Sequence, residues 1–158
     1  MKTLQHNAIR VGVFGGGTCP LDVYQLAVTA GAAIAQRGGV VVCGGLGGVM
    51  EAVCKGAVEA GGVTIGILPG DSPDTANPYV TIPIATGMGI ARNSIIVRTA
   101  DVCLAIDGKY GTLSEIAYAL QLEKKVVTLQ SWDTIPGVIP ATSVEEAMQL
   151  LFETGEER

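Results

Sequence analysis

Three apolar runs in this chain stop abruptly at glycine-rich turns that open onto Ala- and Leu-rich stretches. RVGVFG (10–15) runs into GGGT (15–18), VVVC (40–43) into GGLGG (44–48), and VCLAI (102–106) into DGKYGT (107–112). Runs that are apolar throughout, rather than alternating, belong to strands buried on both faces, as in a parallel sheet covered by helices. The full pattern predicts strands at 10–15, 40–43, 63–68, 79–86, 102–106 and 126–130, and helices at 20–37, 49–60, 87–100, 112–122 and 143–154. Pro83 puts the fourth strand at an edge or ends it early. PGDSPDTANP (69–78) is the one clear loop. The expected class is α/β, a doubly wound and mostly parallel sheet with helices on both faces. No linker, composition shift or internal repeat divides residues 1–158, so a single domain is expected.

Composition narrows the function. The 158 residues are long enough to bury roughly two-thirds of the unfolded surface. With 48% apolar and only 16% charged residues the core is ample, and 22 glycines supply its tight turns. A net charge of −5 argues against a nucleic-acid polymer as partner, since phosphate backbones require a basic face. No apolar run reaches membrane-spanning length and MKTLQHNAIR has no apolar signal core, so a cytoplasmic protein with no membrane association is expected. The four cysteines (Cys19, Cys43, Cys54, Cys103) show no metal or redox spacing, and three of them lie inside apolar elements as small hydrophobes. His6 is the single histidine, in an N-terminal segment expected to be loose. No metal site, no cofactor and no histidine-based nucleophile are therefore expected, and any chemistry falls to carboxylates and arginines.

Ligands of open parallel sheets bind at the carboxyl ends of the strands, near the point where strand order reverses. Glycines there expose backbone N–H groups, and the following helix dipole favours an anion. Gly16, Gly17, Gly44, Gly45, Gly47, Gly108, Lys109, Gly111 and Thr112 are the candidate ligand- or phosphate-binding residues. GVFGGGTC does not fit GxGxxG, the second strand ends in Cys43-Gly44 rather than an acidic residue, and no GxxxxGK[ST] occurs. These absences disfavour NAD and ATP and point to a nucleotide monophosphate or similar small phosphorylated molecule. Glu115 has two readings. Thr112-Leu113-Ser114-Glu115 matches a capping box, in which the two side chains satisfy free helix N–H groups; alternatively the carboxylate belongs to the site. Arg92 falls early in a predicted helix, where an anion would offset its opposition to the dipole, or it is an ordinary surface arginine.

GGLGGVMEAVCKGAVEAGG, then TIGILPG, ANPYV, TGMGIARN, AD and G-x-x-GTLSE, in that order over about residues 10–130, resemble the LOG family of the lysine decarboxylase-like superfamily. The chain is most similar to the branch that includes the molybdenum cofactor carrier protein. The resemblance implies a Rossmann-like nucleotide- or phosphate-binding fold assembled as a homodimer or homotetramer. It also implies a nucleoside 5′-monophosphate phosphoribohydrolase that releases base and ribose 5-phosphate. On the family signature PGGxGTxxE, Glu115 takes the catalytic glutamate position, and Gly108, Gly111 and Thr112 the glycines and threonine. Arg92 takes the catalytic arginine of an MHxRK segment. Asp107 and Lys109 depart from that signature, as do Ile90, Ala91 and Asn93 from the arginine segment. These changes keep a second function in view: a binding or carrier protein for a phosphorylated small molecule, such as molybdenum cofactor or a nucleotide, without turnover.

Overall fold

A computed structural model describes residues 7–153, and His6 lies outside the described residues. The chain runs β1 (Arg10–Gly15), α1 (Leu21–Gln36), β2 (Val40–Cys43), α2 (Val49–Glu59), β3 (Thr64–Leu68), β4 (Ile82–Ala85), α3 (Asn93–Thr99), β5 (Val102–Ile106), α4 (Tyr110–Gln121), β6 (Val126–Leu129), β7 (Ile139–Ala141) and α5 (Val144–Phe152). The strands form one seven-stranded sheet in the order β4-β3-β2-β1-β5-β6-β7, every pair parallel. This is the expected Rossmann-like, doubly wound α/β architecture.

Strand side chains alternate between the two faces, so consecutive buried residues feed different layers. In β1, Val11 and Val13 join α1, α2 and α5 in one core cluster, while Phe14 joins α3 and α4 in the other. In β5, Leu104 and Ile106 face the first layer and Cys103 and Ala105 the second. The same alternation sends Lys124 and Lys125, at the start of β6, to opposite faces. Lys124 Nζ donates to the carbonyls of Val97, Arg98 and Ala100 (2.7, 3.0 and 2.6 Å) at the end of α3, and Lys125 Nζ to Leu150 O (2.6 Å) near the end of α5. Two adjacent cations thereby satisfy the orphan carbonyls of helices in both layers.

Several predicted boundaries move, each for a local reason. The expected helix over 87–100 is broken at its start because Gly87 and Gly89 take φ of +64° and +60°. A single 3₁₀ turn covers Gly89–Arg92, and α3 starts only at Asn93. The expected strand over 79–86 shrinks to Ile82–Ala85. Upstream, Asn77 folds the chain back on itself, its side chain accepting from Tyr79 N and its carbonyl from Val80 N (2.9 and 3.2 Å). Strand β4 is an edge, which tolerates Pro83. Strand β7 is unanticipated: three residues containing Pro140 read as loop, and only pairing beside β6 makes them a strand. The loop at 69–78 carries a short 3₁₀ turn, Pro73–Thr75.

Helices α1 and α2 touch backbone to backbone through a reciprocal pair of glycines. A Cβ on Gly31 would meet Val53 O at 2.0 Å, and one on Gly56 would meet Val28 O at 1.9 Å. Gly56→Ala should therefore force the two helices apart and cost about 1–3 kcal/mol of unfolding free energy, as overpacking of a tight core does. Urea denaturation of this variant beside the parent measures it, and an unchanged midpoint would mean that the helices slide without penalty.

Candidate functional site

The chain leaves β1 toward β2 on one side and later returns to pair β5 on the other, so the strand order reverses at β1. The connections after β1 and β5 diverge, and a crevice opens beyond their carboxyl ends. A cavity of about 450 Å³ occupies it. Gly16, Gly17, Gly44, Gly108, Lys109, Gly111 and Thr112 line this cavity together with Arg92 and Glu115. Gly45 and Gly47 do not line it. Gly45 lies against Leu68 and Gly66, Gly47 faces Gly17 O, and both shape the turn from behind.

The first two glycine turns are tied to each other and to the following loop. Val49 N, at the start of α2, donates to Gly16 O (3.0 Å). From the other side Asn77 N donates to Gly45 O and its Nδ2 to Leu46 O, both at 2.9 Å. Asn77 was not among the sequence candidates. Asn followed by Pro is a turn signal, but nothing in the pattern specifies that it anchors a glycine turn more than thirty residues away.

The third turn is the most constrained. Asp107 and Gly108 follow β5 with φ of +50° and +90°, so the chain is left-handed at two successive positions, the first of them not glycine. A Cβ on Gly108 would lie 2.1 Å from Thr112 Oγ1, so this glycine also makes room for the threonine. Helix α4 begins at Tyr110 with Lys109 in the capping position, and no side chain caps it. This corrects the capping-box reading: Thr112 lies inside the helix rather than at its cap, and the Glu115 carboxylate accepts no helix N–H. Among the described residues, no backbone or side-chain acceptor bonds the N–H groups of Tyr110, Gly111 and Thr112, and the latter two residues border the cavity.

Arg92 is a buried arginine, 9% exposed, and not a surface one. Its Nε donates to Ile67 O (2.8 Å), Nη2 to Gly44 O (3.5 Å) and Nη1 to Asn93 Oδ1. The guanidinium is thus fixed to the ends of β2 and β3. Gly44 has to be glycine for this, because a Cβ there would meet Arg92 Nη2 and Met50 Sδ, each at 2.6 Å. Burial lowers the Arg92 pKa, and the charge of Glu115 partly opposes the shift.

Glu115, one turn into α4, is 8% exposed. Burial pushes its carboxyl up to about 8, against the downward pull of Arg92. Among the described residues the ion pairs are Arg10–Asp101 and Lys55–Glu59, so Arg92 and Glu115 line one cavity without closing on each other. A desolvated acid that accepts the influence of a cation but no hydrogen bond costs stability, and such groups concentrate at functional sites.

The cost can be read from pH. Unfolded, Glu115 titrates near 4.5, and folded near 8, so between these values the folded chain holds the extra proton. Its contribution is most favourable below pH 4.5 and is progressively lost as pH rises to 8, at about 1.4 kcal/mol per unit. Glu115→Gln removes that loss. The stability of the variant relative to the parent should rise by on the order of 4 kcal/mol from pH 5 to pH 8 in denaturant titrations. A difference that stays flat with pH would show that Glu115 ionises normally.

Known proteins share this fold. A protein of Archaeoglobus fulgidus is 44% identical over 140 residues, covering 89% of this chain and 92% of that protein. Among solved structures, the molybdenum cofactor binding protein from the phototrophic bacterium Rippkaea orientalis superposes with a TM-score of 0.87 at 36% identity, covering 92% of this chain and 96% of that one. The Moco carrier protein from Chlamydomonas reinhardtii gives 0.83 at 36% identity, covering 92% and 98%. The SLOG cluster4 family matches residues 8–157. With a molybdenum cofactor binding protein and a Moco carrier protein among its solved relatives, in line with the resemblance read from the glycine turns, this chain belongs to the SLOG cluster4 family.

Proposed function

We propose that this protein binds and carries a phosphorylated small molecule of the molybdenum cofactor type, without hydrolysing it. The observation that carries this reading is the charge of the cavity. Arg92 and Lys109 supply two cations against the single carboxylate of Asp107, while Glu115, with its carboxyl raised to about 8, is mostly neutral at pH 7. A net positive, glycine-lined crevice beside the N-terminus of α4 suits a phosphate dianion. In the glycosidase alternative a protonated Glu115 suits proton donation to the leaving base, whereas stabilising an oxocarbenium-like transition state requires an ionised carboxylate. The two solved relatives, a molybdenum cofactor binding protein and a Moco carrier protein, support the same choice.

In this reading the free N–H groups of Gly111 and Thr112 and the backbone of Gly16, Gly17 and Gly108 receive the phosphate. Lys109 adds a mobile cation at the rim, and Arg92 a fixed one at the floor. Neutral Glu115 donates its proton as a hydrogen bond to ligand oxygen. A cytoplasmic homodimer or homotetramer belongs to the same proposal. Ile82, Ile84, Met88 and Ile90 are exposed apolar residues along edge strand β4 and the turn after it, a surface suited to self-association.

The second reading, a nucleoside 5′-monophosphate phosphoribohydrolase, has one observation in its favour: Arg92 and Glu115 border the same cavity as the DGKYGT turn. Incubation with a panel of nucleoside 5′-monophosphates, followed for free base and ribose 5-phosphate and in parallel by calorimetry, separates the two. Saturable binding with no released base is the expected result. Base release that disappears in both Arg92→Ala and Glu115→Gln would replace the carrier with the hydrolase.

Affinity should also depend on pH in a defined direction. Between pH 7 and 9 a phosphate monoester keeps its double charge, since its second pKa is about 6. Glu115 titrates within that window and, once ionised, repels the ligand. Binding of AMP should weaken about tenfold from pH 7 to pH 9, and Glu115→Gln should flatten the dependence. Equal slopes in parent and variant would remove Glu115 from the binding surface.

A further inference from the structure

Asp107 and Gln130 occupy equivalent places at the ends of neighbouring strands, one residue beyond the paired Ile106 and Leu129. Both are left-handed, with φ of +50° and +49°, although neither is glycine. Two such positions side by side persist only where surrounding contacts over-determine them, and they cluster at ligand clamps and switch regions. The contacts here come from the last residue of β6 and the segment after it. Asp107 N donates to Leu129 O (3.4 Å), Ser131 Oγ donates to Asp107 O (2.6 Å), and Trp132 Nε1 donates to Lys109 O (3.1 Å). The Trp132 ring also packs on Tyr110, the first residue of α4, with centroids 6.4 Å apart at 35°. Tyr110 is itself 81% exposed, so the ring contact shields little surface and contributes little burial energy.

We propose that Ser131 and Trp132 are positioning residues of the anion site, although neither borders the cavity. They hold the strained DGKYGT turn in the shape that directs the N–H groups of α4 into the crevice. The assignment rests on the phosphorylated-ligand reading for its purpose but not for its mechanics. Each of the two donors grips a carbonyl on a different side of Gly108, the one residue of the turn free to rotate. With both carbonyls held, the 107–108 and 109–110 peptides at the two ends of the Gly108-Lys109 segment are fixed and the site is organised before ligand arrives. Without them, the turn samples other shapes and the ligand must supply the ordering. Ligand recognition at the β5–α4 turn is therefore set partly from the β6–β7 connection.

Trp132→Phe keeps the ring against Tyr110 and deletes the donor, and Ser131→Ala deletes the other. Hydrogen exchange on the full chain without ligand is the first measurement. Both variants should exchange faster at Asp107 and Leu113, whose N–H groups are bonded at the two ends of the turn, with the rest of β5 and β6 unchanged. Unchanged exchange in the turn, or acceleration spread evenly over the sheet, would overturn the proposal. Calorimetry with AMP and with inorganic pyrophosphate is the second. Each variant should bind about fivefold more weakly, the effect of losing one hydrogen bond, with a melting temperature lowered by no more than about 4 °C. Parental affinity in both variants would overturn the proposal and leave the binding reading intact. If the parent binds neither probe, the binding reading falls, and exchange at Asp107 and Leu113 still decides whether the two residues brace the turn.

Discussion

Parallel pairing of β1 with β2 on one side and β5 on the other is the constraint on which the rest of this molecule depends. It places three strand ends at one edge of the sheet, and it forces the chain after β1 and after β5 to opposite faces. The space between those departing connections cannot be filled by either of them. Gly15 pairs with Ile106 at the very end of this ladder, so the GGG and DGK turns face each other across the crevice. A cavity walled by glycine backbone at the strand ends and by the side chains of Arg92, Thr112 and Glu115 is the consequence.

The electrostatics of that cavity arise from burial as much as from sequence. Arg92 reaches the floor because the 3₁₀ turn before α3 delivers it under the ends of β2 and β3, where three acceptors fix it. Glu115 is brought in by α4 and receives no such partners. Burial acts on the two groups in opposite senses of charge: it weakens the hold of Arg92 on its proton and strengthens that of Glu115. The arginine, whose ordinary pKa is far above neutrality, stays charged, while the acid becomes neutral. An apparently balanced pair of residues therefore yields a positive site.

Support for the site is distributed over elements that never touch it. Asn77 holds the GGLGG turn from the loop before β4, and Ser131 and Trp132 hold the DGKYGT turn from the segment after β6. Lys124 and Lys125 fasten α3 and α5 to the start of β6, one on each face. The helices that carry Arg92's neighbours and close the far layer are in this way referenced to the same sheet. A glycine-rich site has little side-chain packing of its own to hold its shape, which is why the restraints come from outside.

Much of the fold and the outline of the site were legible in the sequence. Continuous apolar runs ending in glycine identify buried parallel strands, and the order of strands and helices leaves few ways to wind them. The spacing of Arg92, Gly108, Gly111, Thr112 and Glu115 on a family signature was readable as well. Other features depended on contacts between residues remote along the chain. Strand β7 exists only because β6 offers a free edge to a proline-containing segment. Helix α4 starts earlier than its pattern suggests because the left-handed turn before it is held by another loop, and this removes Glu115 from a capping role. That Gly45 and Gly47 stand behind the cavity while Gly44 fronts it follows from the path of a turn whose composition is uniform. The sequence by itself determined the layered α/β architecture and the chemical types at its switch point, because periodicity and glycine placement are local properties. The tertiary structure alone decided which groups are buried, which are charged and which are braced, because solvent exclusion and hydrogen-bond partners are set by residues far away along the chain.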